Sequence, residues 1–216
     1  MDAQKTLLGN RFFLPVQEGY QDNSTSWGHD VEAAKKLLDG AGWVAGSDGV
    51  RAKDGTKLEL VMTIPSNAPV ATNEANLLQK QLGEVGIKLS VSTVEIDKYF
   101  PEYINKKNYA LTAFTTEKTQ YPLANAGQYY ASTSQSNYTG LSVPEVDQYV
   151  AKIGSTPDGA ERNKLANELD KILWENVFNI PIYQRMQLTA VPKTLRNFGA
   201  QGLASFRPER IGYVKS

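Results

Sequence analysis

The chain has 216 residues, 41% hydrophobic and 21% charged, with 23 basic residues balanced by 23 acidic ones. This is the composition of a folded chain forming one large domain or two small lobes, and zero net charge removes the positive excess that phosphate backbones attract. The absence of cysteine excludes disulfides, thiolate metal sites and cysteine nucleophiles. No apolar run approaches the roughly 20 residues of a membrane helix, and residues 1–5 hold no apolar signal core. The chain as it stands is expected to be water-soluble, and Met1 is compatible with a start placed inside a longer protein.

Residues 1–29 show no sustained period and many turn formers, which reads as a lead-in with at most a short strand. Residues 30–216 are then expected to form a single α/β lobe. Asp30 offers an N-cap to a helix in which Val31, Ala34, Leu38 and Ala41 recur at helical spacing, and Gly40 and Gly42 supply the stop. Asp54-Gly55 tolerates the positive φ of a tight turn and predicts a hairpin between residues 49–53 and 56–58. Leu58, Leu60, Met62 and Ile64 alternate as a strand. After Pro65-Ser66-Asn67, Ala75, Leu78, Leu82 and Val85 line a helix face, and Ile87, Leu89, Val91 and Thr93 alternate again. Such a strand–helix–strand unit makes its two strands parallel. Residues 97–104 predict a second crossover helix, and residues 109–114 a third strand, apolar enough to lie inside a sheet.

Residues 115–140 are rich in Thr, Ser, Gln, Asn and Tyr, lack a period, and are too long for a plain connector, so a functional loop is expected there. Ser142 and Glu145 have capping-box spacing ahead of a helix carrying Val146, Tyr149, Val150 and Ile153. Asp158 and Glu161 repeat that logic before a longer stripe of Leu165, Leu169, Ile172 and Leu173. Residues 180–183 and 188–191 read as strands, with a loose tail to Ser216.

Reactive chemistry is sparse. The only histidine, His29, sits beside Trp27 and Gly28 at a helix start, with no serine elbow or phosphate loop elsewhere. Gly40-Ala41-Gly42 ends a helix, where a dinucleotide fingerprint must follow a strand. With one histidine and no cysteine, a metal would need an all-carboxylate site, and no calcium-loop spacing occurs. Neither metal nor cofactor is therefore expected. Glu117, Glu145 and Asp147 leave a carboxylate-based glycosidase as an alternative, although Glu145 fits a helix cap and Asp147 a solvated helix face. Asn23 and Asn137 each open a glycosylation sequon, which carries meaning only in a eukaryotic secretory context. Eleven tyrosines among many amides and hydroxyls suit a surface that recognises a ligand without transforming it.

Several phrases carry a resemblance. Ala33-Ala34-Lys35-Lys36-Leu37-Leu38-Asp39-Gly40-Ala41-Gly42-Trp43, Lys53-Asp54-Gly55-Thr56-Lys57-Leu58-Glu59-Leu60, Gln79-Lys80-Gln81-Leu82-Gly83-Glu84-Val85-Gly86-Ile87-Lys88-Leu89, Asn137-Tyr138-Thr139-Gly140 with Pro144-Glu145-Val146-Asp147, and Ile180-Pro181-Ile182-Tyr183 occur in this order. Together they resemble the C-terminal lobe of the solute-binding proteins of peptide-type ABC importers, the dipeptide and oligopeptide family. The resemblance implies an α/β fold of the type II periplasmic-binding class, its mixed, mainly parallel sheet flanked by helices. It also implies a binding protein and no enzyme, working outside the cytoplasmic membrane on a lipid anchor. Its partners would be a missing N-terminal lobe, membrane permease subunits and a captured peptide or similar small solute, with an oligosaccharide as the alternative ligand.

Family members commonly place a Trp and an acidic residue after the third strand, the acid pairing with a peptide's amino terminus. Here Phe114 stands for the Trp and Glu117 is the nearest acid. The family's Asp-Tyr-Pro-Asp-Pro phrase is reduced to Gln120-Tyr121-Pro122-Leu123. On this reading Phe114 and Tyr121 stack on the ligand, Thr115, Thr116, Gln120 and Asn137 hydrogen-bond it, Glu117 offers a charge, and Tyr183 is a further contact.

Overall fold

The computed structural model describes residues 8–116, 119–185, 189–199 and 207–214. The chain divides into two compact units: a sheet unit, Trp27–Thr116 with Tyr138–Gly140, and a helical unit, Met1–Ser26 with Glu117–Asn137 and Leu141–Ser216. The whole is a mixed α/β fold containing a parallel sheet and helices.

In the sheet unit, helix α1 (Val31–Gly40) begins where Asp30 accepts a hydrogen bond from the Ala33 amide at 2.9 Å. It ends in a Schellman turn: Gly42, at φ +86°, donates to Asp39, and Trp43 donates to Leu38, both at 2.9 Å. The helix is nonetheless peripheral. It buries no residue completely, and Leu37 is 75% exposed. Strands β1 (Val44–Ala45), β2 (Arg51–Lys53) and β3 (Thr56–Lys57) form an antiparallel sheet, the last two joined through Asp54 and Gly55, both at positive φ. Arg51 fastens this sheet to its surroundings: its guanidinium meets the Asp39 carboxylate at 2.5 Å and the carbonyls of Trp43 and Val85 at 2.6 and 2.8 Å. Gly86 makes that approach feasible, because a Cβ there would lie 2.8 Å from the Arg51 Cγ.

The alternating residues become β4 (Glu59–Pro65) and β5 (Lys88–Val94), parallel and joined by α2 (Pro69–Glu84). Met62, Ile64 and Leu89 pack with Ala71 and Ala75 of α2, and Leu78 and Leu82 complete that core. Each fully buried aliphatic side chain contributes about 1.5–3 kcal/mol. A second crossover passes through α3 (Ile96–Lys98) and a π-helical turn (Tyr99–Ile104) into β6 (Leu111–Thr112), which pairs parallel with β4 on its other side. The sheet order is therefore β5-β4-β6.

The helical unit contains α4 (Ala126–Tyr130), α5 (Pro144–Ser155) and α6 (Gly159–Glu175). Val146 and Ile153 of α5 and Leu169, Ile172 and Leu173 of α6 share one core, as their spacing predicts. Asp158 caps α6 by accepting from the Glu161 amide at 2.8 Å. The capping box expected at Ser142 does not form: Val143 occupies the N-cap without a side-chain bond, because Pro144 at the first position supplies the helical φ and has no N–H to satisfy. Asp147 is also not a solvated face residue, since its carboxylate accepts from the backbone and hydroxyl of Ser132 at 2.8 and 2.7 Å. Residues 180–182 form no strand, and Tyr183 makes only an isolated bridge. Leu188 lies outside the described residues, and 189–191 are irregular. The tail contains a short antiparallel pair, β7 (Leu195–Arg196) with β8 (Gly212–Tyr213).

The lead-in holds the main surprise of this unit. Phe12 and Phe13 join the α5–α6 core, and Arg11, buried to the same depth, meets Asp170 of α6 at 3.1 Å. Its Nε donates to Asn179 Oδ1 at 2.8 Å, another guanidinium N–H donates to the Asn179 carbonyl, and the group lies over the Trp174 ring at 4.3 Å. Asn10 accepts from the amides of Phe12 and Phe13 and donates to Gln21 and Asn167, all at 2.9 Å. Asn23 donates to the second Asp170 oxygen at 2.8 Å. Substituting Asp170→Asn leaves the Arg11 charge buried without its counterion and is expected to lower stability by about 3–5 kcal/mol. Urea unfolding of the variant against the parent measures that loss; a change below about 1 kcal/mol contradicts it, being within the range of exposed pairs.

Candidate functional site

Parallel strands end on a common edge, and open α/β sheets present ligands to the carboxyl ends of their strands. In the sheet unit that edge is formed by the end of β4 at Pro65, the end of β5 at Val94, and the residues leaving β6. Thr112 in β6 is held by a hydrogen-bonded chain. Its hydroxyl lies 2.9 Å from the Thr63 carbonyl, to which it donates, and 2.5 Å from the Tyr99 hydroxyl, which also donates to the Ala113 carbonyl at 3.1 Å. Burial raises the pKa of the Tyr99 hydroxyl, so it remains a donor at neutral pH. These bonds hold the π-helical turn against both β4 and β6, and so set the direction in which the backbone leaves β6.

Two residues past the end of β6 stands Phe114, 38% exposed, within an aromatic cluster. Its ring lies 5.6 Å from Phe100 and 5.5 Å from Tyr138, both edge-to-face. Phe100 is itself 41% exposed and stands 6.5 Å from Tyr138. These are favourable ring geometries that still leave apolar faces open. Tyr138 is positioned by Tyr109, whose hydroxyl donates to the Tyr138 carbonyl at 2.6 Å. Thr115 and Thr116 continue the chain, exposed, with neither hydroxyl engaged among the described residues. The cluster partners Phe100 and Tyr138 are not among the ligand contacts expected from the sequence. Only the tyrosine richness of residues 109–138 signals one of them, and Phe100 sits in a stretch that reads simply as a crossover helix.

Of the other expected contacts, Glu117 lies outside the described residues. Gln120, Tyr121, Asn137 and Tyr183 belong to the helical unit. Tyr121 is 68% exposed at a turn in which its amide donates to the Thr119 hydroxyl at 3.1 Å; Gln120 is exposed beside it, and Tyr183 is 37% exposed. Asn137 is placed differently. It is 1% exposed, and its amide donates to the carbonyls of Ala131 and Leu141 at 3.3 and 2.9 Å, which makes it a brace of the loop and removes it from the ligand surface. Both sequon asparagines, Asn23 and Asn137, are buried. Among the described residues, no three His, Asp or Glu side chains gather as a metal ion requires.

The family profile described as bacterial extracellular solute-binding proteins, family 5, middle region, matches residues 5–150. The chain belongs to this family. The oligopeptide-binding protein OppA of Mycobacterium tuberculosis is 32% identical over 208 residues, covering 96% of this chain and 35% of its own length. The chain thus spans about a third of the length of such a family relative. The fold matches the oligopeptide-binding protein of Thermus thermophilus, solved with a pentapeptide, at a TM-score of 0.77 and 18% identity over 98% of this chain and 40% of that one. It also matches AppA of Bacillus subtilis, solved with a nonapeptide, at 0.71 and 19% over 93% and 41%. At these identities the two structures establish the family's fold here.

Removing the Asn137 brace is expected to act on stability. Asn137→Ala leaves two carbonyls without this donor and should cost about 1–3 kcal/mol, read as a lower melting temperature. An unchanged melting curve would show that the amide is dispensable to the loop.

Proposed function

We propose that this chain is the ligand-binding lobe of an extracytoplasmic receptor that captures short peptides for an ABC importer and catalyses no reaction. The observation that carries this reading is the half-open ring of Phe114, edge-on to Phe100 and Tyr138 at the carboxyl edge of the parallel sheet, followed directly by two unengaged threonine hydroxyls. An apolar peptide side chain would pack on the rings, and the hydroxyls of Thr115 and Thr116 would meet backbone carbonyls and amides. Glu117, one residue on, would pair with the ligand's amino terminus. Gln120, Tyr121 and Tyr183 would add polar and ring contacts. The family relation to OppA supports peptides over the sugar and glycosidase alternatives.

The relatives' greater length supports a second lobe in the working protein, which would close over the ligand by a hinge, the motion open to two-domain binding proteins. A lipid anchor and permease subunits at the outer face of the membrane complete the proposal. No helix among the described residues is long and apolar enough to cross a membrane.

The test is thermal shift of the longer, two-lobed protein against panels of short peptides and oligosaccharides. A peptide at a hundred times its Kd should add about 2.7 kcal/mol of stability by mass action. Phe114→Ala should weaken binding by about 1.5–3 kcal/mol through loss of a buried ring contact, and Glu117→Gln should weaken peptides with a free amine selectively. Stabilisation by sugars alone overturns the peptide assignment, and an unchanged Glu117→Gln affinity removes that residue's role.

A further inference from the structure

A shallow, open depression of about 500 Å³ lies on the sheet unit, lined by none of Phe114, Phe100 and Tyr138, although Tyr109 borders both. Val61 and Thr63 of β4 and Ser92 of β5 form its floor, and Tyr103, Lys107 and Asn108 its wall. Thr63 and Ser92 are paired across the parallel ladder, and side-chain alternation puts Val61 on the same face, opposite Met62 and Ile64 in the α2 core. Leu111 is level with Met62, so the wall residues precede β6 at the amino half of the sheet, whereas Phe114 leaves its carboxyl half.

Several polar groups of the depression have no partner among the described residues. The hydroxyls of Thr63, Ser92 and Tyr103, the side-chain amide of Asn108 and the ammonium of Lys107 engage no described residue, and no carboxylate lines the hollow. Tyr99 and Tyr109, flanking tyrosines of the same segment, both have their hydroxyls hydrogen-bonded. Lys107 is moreover held at φ +55°, a left-handed conformation that asparagine and glycine adopt readily and long side chains rarely. It is the left-handed residue of a Schellman cap on the preceding turn, its amide donating to the Ile104 carbonyl at 3.0 Å and that of Asn108 to the Tyr103 carbonyl at 2.9 Å. Gly140 leaves room for its stem, since a Cβ at that position would lie 3.2 Å from the Lys107 Cδ. The wall grows out of the π-helical turn, a backbone form frequent at functional sites. A cation without a described partner, beside unengaged hydroxyls and the apolar Val61, has the chemistry of a receptor for an anion carrying a small apolar body.

We propose that this depression is a second binding site, for the carboxylate of a small organic acid: Lys107 takes the charge, Ser92, Tyr103 and Asn108 donate hydrogen bonds, and Val61 meets the hydrocarbon part. The probes are benzoate, its neutral isostere benzamide, and inorganic phosphate, titrated into this chain at constant ionic strength while backbone amide NMR shifts are followed. Benzoate should give saturable shifts confined to residues 61–63, 90–93 and 103–110. Benzamide and phosphate should each bind about tenfold more weakly, having lost the charge or the body. Lys107→Asn keeps the left-handed turn and removes only the cation; it should melt no lower than the parent and bind benzoate about tenfold more weakly. Ser92→Ala, outside that turn, should weaken benzoate about threefold. Scattered or unsaturable shifts, equal binding of benzoate and benzamide, phosphate binding as tightly as benzoate, or full affinity in both variants overturns the site.

Discussion

Parallel strands cannot be joined by a tight turn, and the sheet unit is organised around that constraint. Each return to the same edge needs a crossover, so α2 carries the chain from β4 to β5, and α3 with the π-helical turn carries it past β4 to β6. The crossovers bury Met62, Ile64 and Leu89 against α2. They also make all three strands point the same way, so the residues that leave β6 emerge on the edge where Phe114, Thr115 and Thr116 are found. The hydrogen-bonded chain through Tyr99, Thr112 and Thr63 converts that topology into a fixed position for the aromatic cluster.

The helical unit obeys a different rule, that a buried charge must be matched. Arg11 and Asp170 are both inaccessible to solvent, and the pair persists because each charge has further partners: the Arg11 amide and Asn23 on the two carboxylate oxygens, Asn179 on the guanidinium, the Trp174 ring beneath it. Such an arrangement favours one geometry over the many that apolar residues alone would accept. It gives the irregular segment beginning near Asn10 a specific seat on α6, which Phe12 and Phe13 then fill. The two units therefore reach definition by separate means, one through backbone pairing and one through a hydrogen-bonded polar cluster beneath an apolar core.

The candidate site is legible in the sequence where it rests on local order. The strand–helix–strand pattern and the polar stretch after it point to Phe114, Thr115 and Thr116, because alternation and loop composition are written in consecutive residues. Phe100 escapes such reading since its ring meets Phe114 only after a crossover has folded back, a relation with no sequence period. Asn137 misleads for the converse reason: an amide in a polar loop offers the same groups to a ligand as to nearby carbonyls, and only burial shows which it serves. Lys107 carries no sequence signal at all, because neither its left-handed backbone nor its unpaired ammonium is dictated by its neighbours along the chain.

By itself the sequence determined the helices of Asp30, Ala75 and Leu169, the hairpin at Asp54-Gly55, the parallel order of two alternating strands, and the absence of cysteine chemistry. All of these are set by periodicity, capping and turn preference within a few residues. Tertiary structure alone decided that Phe12 and Phe13 of the lead-in are core, that Ser142 caps nothing while Asp147 braces Ser132, that residues 180–182 are no strand, and which aromatic rings share one edge. Those outcomes depend on which groups lose contact with water and which distant partner then satisfies them, and that is a property of the packed chain, invisible in the order of its residues.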